Sequence, residues 1–118
     1  MRKNKMNEDF IKSVYKTIVQ ENKEIYIDLL NNTNKDEVSN EYWKQSSKLY
    51  NELSQDRKDV FISIIEQIIV DTVSNMFGII DGSSTLHGCN AEPKLLLDGN
   101  DTEGELQDLF LEYVEDVE

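Results

Sequence analysis

The stretch VFISIIEQIIVDTVSNMF, Val60 to Phe77, constrains this chain more than any other. Nine of its eleven apolar residues fall at Val60, Phe61, Ile64, Ile65, Ile68, Ile69, Val73, Met76 and Phe77. That is the i, i+3, i+4, i+7 spacing of a helical face. Ser63, Glu66, Gln67, Asp71 and Ser74 fill the other side. Ser54 precedes Gln55 and Asp56 as an N-cap, and Gly78 follows Phe77 where a helix commonly ends. A helix from Gln55 to Phe77 is about 35 Å long at 1.5 Å per residue. The expectation is a buried spine. Ile64, Ile65, Ile68 and Ile69 would lie at the core centre, with Phe61, Leu109 and Phe110 packed near them.

The rest of the composition suits one helical domain. The chain has 118 residues, enough for one core, with one Pro and five Gly. Cys89 is the only cysteine, so no internal disulfide can form, consistent with a reducing, cytoplasmic setting. The amino end, MRKNKMNEDF, is basic and lacks the apolar run of a signal peptide. Glu66, Gln67 and Asp71 interrupt the spine, where a membrane span needs about 20 uninterrupted apolar residues. No membrane association is expected.

Residues 1–7 read as a basic tail and 8–118 as the domain. Asn7 stands as an N-cap, with Glu8 and Asp9 in a first turn where carboxylates suit the helix dipole. A first helix is expected from about 8 to 30. Its face is Phe10, Ile11, Val14, Ile18, Ile25 and Leu29, with Tyr15 and Ile27 flanking. NNTNK at 31–35 is a turn by composition. A second helix is expected over 36–53, with Val38, Tyr42, Leu49 and Leu53 on one side and Trp43, Ser46 and Tyr50 beside them. Such an aromatic stripe reads as core edge rather than as a binding face. The short break at Ser54 implies that the second helix and the spine pack antiparallel.

From Gly78 to Asn100 the character changes, with four of the five glycines and the only proline. Ile79-Ile80 and Leu95-Leu96-Leu97 are each followed by Asp-Gly, the mark of a short strand ending in a turn. A small β-hairpin is preferred here, with an ordered loop as the alternative. Thr102 and Glu105 then form a T-x-x-E capping box. Leu106, Leu109, Phe110, Tyr113 and Val114 make the stripe of a last helix, ending near Asp116. The fold class is therefore mainly α: a four-helix single domain with a hairpin or loop between the third and fourth helices.

Motifs that carry chemistry are scarce. His87 and Cys89 are the only residues of their kinds, and zinc takes four such ligands or three with a water. No metal and no cofactor is expected. The same scarcity removes the usual Ser–His–Asp and Cys–His catalytic arrangements. Asp98, Asn100 and Thr102 begin like a calcium loop, but Glu103 stands where a Gly is needed and Leu109 where a bidentate Glu is needed. No catalytic residues are singled out.

Charge is the strongest compositional signal. Residues 1–58 hold 11 basic and 10 acidic residues, a net of +1, whereas residues 59–118 hold Lys94 against 14 acids, a net of −13. A chain so divided repels nucleic acid at its acidic half and attracts basic partners, although solubility alone also accounts for acidity. Glu112, Glu115, Asp116 and Glu118 crowd the carboxyl end of the last helix, where each exposed negative charge costs about 0.3–1 kcal/mol against the dipole. Local helix stability does not explain them. The candidate partner-binding residues are Glu105, Asp108, Glu112 and Glu115, with Asp98, Asp101 and Glu103 as the rim.

FGIIDGSS at 77–84 and GELQDLFLEYVE at 104–115 carry a resemblance. A hydrophobic helix, a DGSS-like turn and an LQDLF-like last helix resemble small acidic bacterial immunity or antitoxin-like proteins. The similarity covers about the last third of the chain and marks a turn and a cap, so no functional residue carries over. It implies a non-enzymatic inhibitor that covers a basic surface of a cognate toxin. The alternatives are a small enzyme using carboxylates, or a structural subunit of a larger assembly. Two close, buried carboxylates in a cleft favour the enzyme. A large exposed apolar patch favours the subunit. A shallow acidic surface favours the inhibitor.

Overall fold

A computed structural model describes residues 3–32 and 40–118. The first helix, α1, runs through Lys3–Val14, then a π-helical stretch Tyr15–Gln20, then Glu21–Asn32, without a break. Helix α2 is Glu41–Asn51, α3 is Gln55–Asp81 and α4 is Leu106–Val117. Between α3 and α4, β1 (Leu96–Leu97) pairs antiparallel with β2 (Asn100–Asp101). Among the described residues the protein is thus mainly α, four helices with one small hairpin. Val38 and the 33–35 part of the expected turn lie outside the described residues.

Helix α1 starts at Lys3, so residues 3–7 are helical rather than tail. Asn7 is not an N-cap. It is buried inside the helix, and its Nδ2 donates to the Thr102 carbonyl (3.1 Å) and to Glu105 Oε1 (2.6 Å). The π stretch, with i→i+5 bonding, also moves the apolar face. In an unbroken α-helix, positions four apart drift steadily around the axis. The wider π turn offsets that drift and keeps Ile11, Tyr15 and Val19 in line, all at most 3 % exposed. The expected face members Ile18, within the stretch, and Ile25, beyond it, point out, and Leu30 points in.

The core lies at one end of the molecule. Ile11, Tyr15 and Val19 of α1, Val70 and Phe77 of α3, and Leu106 and Phe110 of α4 form it. Phe10, Phe77, Phe110, Tyr15 and Tyr113 make a chain of edge-on or tilted ring contacts, with centroids 5.4 to 6.2 Å apart. Ser74 and Gly78 leave a flat place on α3 where Gln107 lies, its Nε2 donating to the Ser74 carbonyl at 2.9 Å. A Cβ on Gly78 would stand 2.8 Å from Ser84 Oγ and 2.9 Å from Gln107 Nε2.

The ends of α3 and α4 are built differently from the sequence expectation. Ser54 does cap α3, accepting from the Arg57 N–H at 3.3 Å. Gly78 does not end it. The helix continues through Ile79-Ile80, which form no strand, to Asp81, and closes on Gly82 in the left-handed region (φ 84°). The second Asp-Gly, Asp98-Gly99, does turn a hairpin, with both residues at positive φ. The Thr102–Glu105 box is not formed. Thr102 Oγ1 donates to the Leu95 carbonyl (3.2 Å), and Glu105 accepts from Asn7. The cap of α4 comes from Asp81: its carboxylate accepts from Leu106 N–H (3.3 Å) and Gln107 N–H (2.7 Å). A negative charge there meets the positive end of the helix dipole.

The other end is looser. Helix α2 packs on the second half of α1, where Ser47 Oγ and Asn51 Nδ2 donate to the Leu30 carbonyl (both 3.1 Å). That bonding draws α2 to α1. The antiparallel α2–α3 pairing expected from the short break is reduced to contacts near the junction, where the Tyr50 ring meets Phe61 (5.8 Å) and Lys58 Nζ (5.2 Å). Tyr50 is buried, Trp43 half-buried against Tyr26, and Tyr42 exposed. Lys23 and Glu66 join α1 to α3 at 2.7 Å. The radius of gyration, 17.8 Å, exceeds the about 13.5 Å of a compact chain of this length.

Candidate partner-binding surface

Two surfaces on this frame could meet another molecule, one acidic and one apolar. On α4, Leu106, Phe110 and Tyr113 fill the inner side, so the i, i+4, i+7 series Asp108, Glu112, Glu115 falls on the outer side. All three are exposed, and no ion pair among the described residues engages them. Beside them a shallow groove between α1 and α4 is lined by Glu8, Lys12, Glu112 and Asp116. Lys12 is the one cation in that lining, its Nζ 5.8 Å from the centre of the Tyr113 ring.

The other candidate acids have structural roles or lie elsewhere. Glu105 is half-buried and holds Asn7, so it belongs to the α1–α4 joint rather than to the outer face. Asp101 is half-buried, pairs with Lys94 at 3.3 Å and accepts from the Glu103 N–H at 2.7 Å. Asp98 is exposed in the hairpin turn, near Met6, Asp9 and Ser13 of α1. Glu103 is exposed at φ 58°. The structure therefore gathers Asp108, Glu112 and Glu115 and detaches Glu105 from them.

One acid of the crowded carboxyl end has a local explanation. Tyr15 Oη donates to Glu118 Oε2 at 2.6 Å, tying α1 to the end of α4. Burial of the ring, then this hydrogen bond and the Glu118 charge, hold the Tyr15 phenol above its ordinary range.

The apolar surface was not anticipated. On α3, Val60, Ile64 and Ile68 are 60 %, 54 % and 59 % exposed. Ile64 and Ile68 are thus not at the core centre, and Ile65 and Ile69 are only half-buried. At about 100° per residue, α3 carries three apolar faces roughly a third of a turn apart. Val70 and Phe77 face the core, and Ile65 and Ile69 lie on a second side. Val60, Ile64 and Ile68 face outward. The signal available in the sequence was the excess of apolar positions over what one helical face can hold. By length and composition α3 could also cross a membrane, and 17 % of its most apolar window is buried.

Elements of a catalytic or metal site are few. The buried polar residues among those described are Asn7, Ser47, Ser74 and Thr102, none of them a carboxylate. Among the described residues no group of three or more His, Cys, Asp or Glu is placed to hold a metal ion. His87 and Cys89 are both exposed, and Cys89 helps line an open depression with Ile79, Asp81, Ser84 and Asn90. No family model, no curated protein and no solved structure matches this chain.

Proposed function

We propose that this chain is a non-catalytic protein-binding module that presents the outer side of α4 to a basic protein partner. The observation that carries this reading is the alignment of Asp108, Glu112 and Glu115, exposed and outside any ion pair among the described residues. Other acids are tied into the frame: Asp81 caps α4, Glu66 pairs with Lys23, Glu105 holds Asn7 and Glu118 holds Tyr15. Of the three, Glu115 lies in the last turn of α4, and a charge kept free where the helix dipole disfavours it has its use outside the molecule. The concrete form is an immunity-type inhibitor, the part implied by the resemblance of residues 77–84 and 104–115, covering the basic surface of a cognate toxin in the cytoplasm. Complementary charge of this kind mainly raises the association rate, and salt lowers it.

The test takes a partner encoded by a neighbouring gene, or recovered from native cells at low salt. Reversing Glu112 and Glu115 together to Lys should slow association about tenfold or more and flatten its salt dependence, without lowering the melting temperature, because Glu115 lies in the last turn of α4, where the helix dipole favours a cation. An unchanged rate and salt dependence makes the acidic face a solubility feature. A second reading, a subunit of a larger assembly, is supported by the exposed Val60, Ile64 and Ile68 stripe on α3.

A further inference from the structure

The outward stripe of α3 has a pattern that identifies what could cover it. Along the exposed side the residues are Arg57, Val60, Ile64, Ile68 and Asp71, all exposed. The spacings between them are 3, 4, 4 and 3, which average to the 3.5-residue repeat of a helix–helix seam. At about 100° per residue the five lie within about 80° of one another around the helix. The series reads the same from either end, except that the charges at its ends are opposite. Arg57 makes no ion pair among the described residues, and Asp71 accepts only from Gln67, one turn away on its own helix (2.9 Å).

We propose that this stripe is the contact surface of a homodimer, two copies of α3 pairing antiparallel about a two-fold axis at Ile64. In that arrangement Ile64 meets Ile64 of the second copy. Val60 meets Ile68 of the second copy, and Arg57 meets its Asp71. The symmetry repeats every contact, so the dimer has two Val–Ile contacts and two Arg–Asp pairs from one short stretch. The apolar centre is removed from water, and the rim is charged and self-complementary. Cationic and anionic ends at equal distances from Ile64 are what a two-fold requires. A different partner would have no need of that spacing.

Charge and length also favour a second copy. The strongly acidic outer side is on α4, whereas around the stripe Arg57 and Lys58 stand against Asp56, Asp59 and Asp71, with Glu66 already paired to Lys23. From Val60 to Ile68 the stripe is about 12 Å long and bounded by full charges, and Val70 and Phe77 of the same helix are buried in the core. Only three apolar residues and two charges per copy form the contact, and the expected dissociation constant is about 1–100 µM. The proposal does not rest on the acidic face or on its partner.

The experiment is sedimentation equilibrium of the full chain across the micromolar to millimolar range. The wild type should move from the 13.7 kDa monomer toward twice that mass. Ile64→Asp places two carboxylates on the axis and should weaken association at least about a hundredfold. Arg57→Asp alone, or Asp71→Arg alone, puts like charges together twice and should weaken it about tenfold. The double variant Arg57→Asp with Asp71→Arg restores both pairs and should regain wild-type association, which keeps the test decisive even where Ile64→Asp does not fold. A wild type monomeric at every concentration overturns the proposal. So does a double variant as weak as the single ones. Flotation of the wild type with phosphatidylcholine and phosphatidylglycerol vesicles, lost in Ile64→Asp, would assign the stripe to a lipid surface instead.

Discussion

The two halves of α3 have similar apolar content and different surroundings. From Val70 to Asp81 the helix is enclosed: Val70, Ser74, Phe77 and Gly78 are buried, Gln107 lies across Ser74 and Gly78, and Asp81 caps α4. From Gln55 to Ile69 it is covered on part of its circumference by α1 and α2, and Val60, Ile64 and Ile68 face out. The difference comes from what packs on each half. Small residues at 74 and 78 let α4 approach closely, and an aromatic chain locks that end. At the other end α2 is drawn to the Leu30 carbonyl of α1 and makes little contact with α3. Apolar content alone therefore does not say which part of a helix is core.

The closed end depends on the carboxylate of Asp81. Asp81 joins the end of α3 to the first N–H groups of α4. Asp81→Ala leaves the first N–H groups of α4 without a carboxylate and should cost about 1–2 kcal/mol in urea unfolding. A loss under about 0.3 kcal/mol means that the closed end does not depend on this cap.

Tyr15 sharpens the same contrast with a smaller effect. Its pKa is raised, so the folded state holds the phenolic proton more firmly than the unfolded chain does. The stability this contributes is fully present below the unfolded value near 10, and is lost as the pH rises above it. Tyr15→Phe should cost about 1 kcal/mol at neutral pH through the lost bond to Glu118. It should also flatten the decline in stability between about pH 9 and about pH 11. A variant with the same alkaline decline as the wild type would place the titrating group elsewhere.

These joints show what local sequence could and could not carry. The four helices were legible, because apolar period and the Ser54 cap are local signals. The outer side of α4 was legible too, since Asp108, Glu112 and Glu115 oppose Leu106, Phe110 and Tyr113 on the same helix. The capping residue was not. Thr102 and Glu105 have the spacing of a capping box, but Thr102 bonds Leu95 and Glu105 bonds Asn7, 98 residues away, leaving the cap to Asp81. The buried side of α3 was hidden for another reason: apolar residues occupy three of its sides, so periodicity cannot choose among them. On α1 the π stretch shifted the face beyond Tyr15, a change that no apolar spacing announces.

The central claim is that α3 has a buried side and a free apolar side, with Val70 on one and Ile68 on the other. Val70 is 3 % exposed and Ile68 is 59 % exposed, only two residues apart. The direct measurement is urea unfolding of Val70→Ala and Ile68→Ala at a concentration well below that of any self-association, repeated at a high one. At low concentration Val70→Ala should lose about 2 kcal/mol and Ile68→Ala less than about 0.5 kcal/mol, although Ile68 loses the larger side chain. Raising the concentration should stabilise the wild type and not Ile68→Ala, because only a chain with the intact stripe gains from association. Equal losses at low concentration, or a larger one for Ile68→Ala, would contradict the account by placing Ile68 in the core.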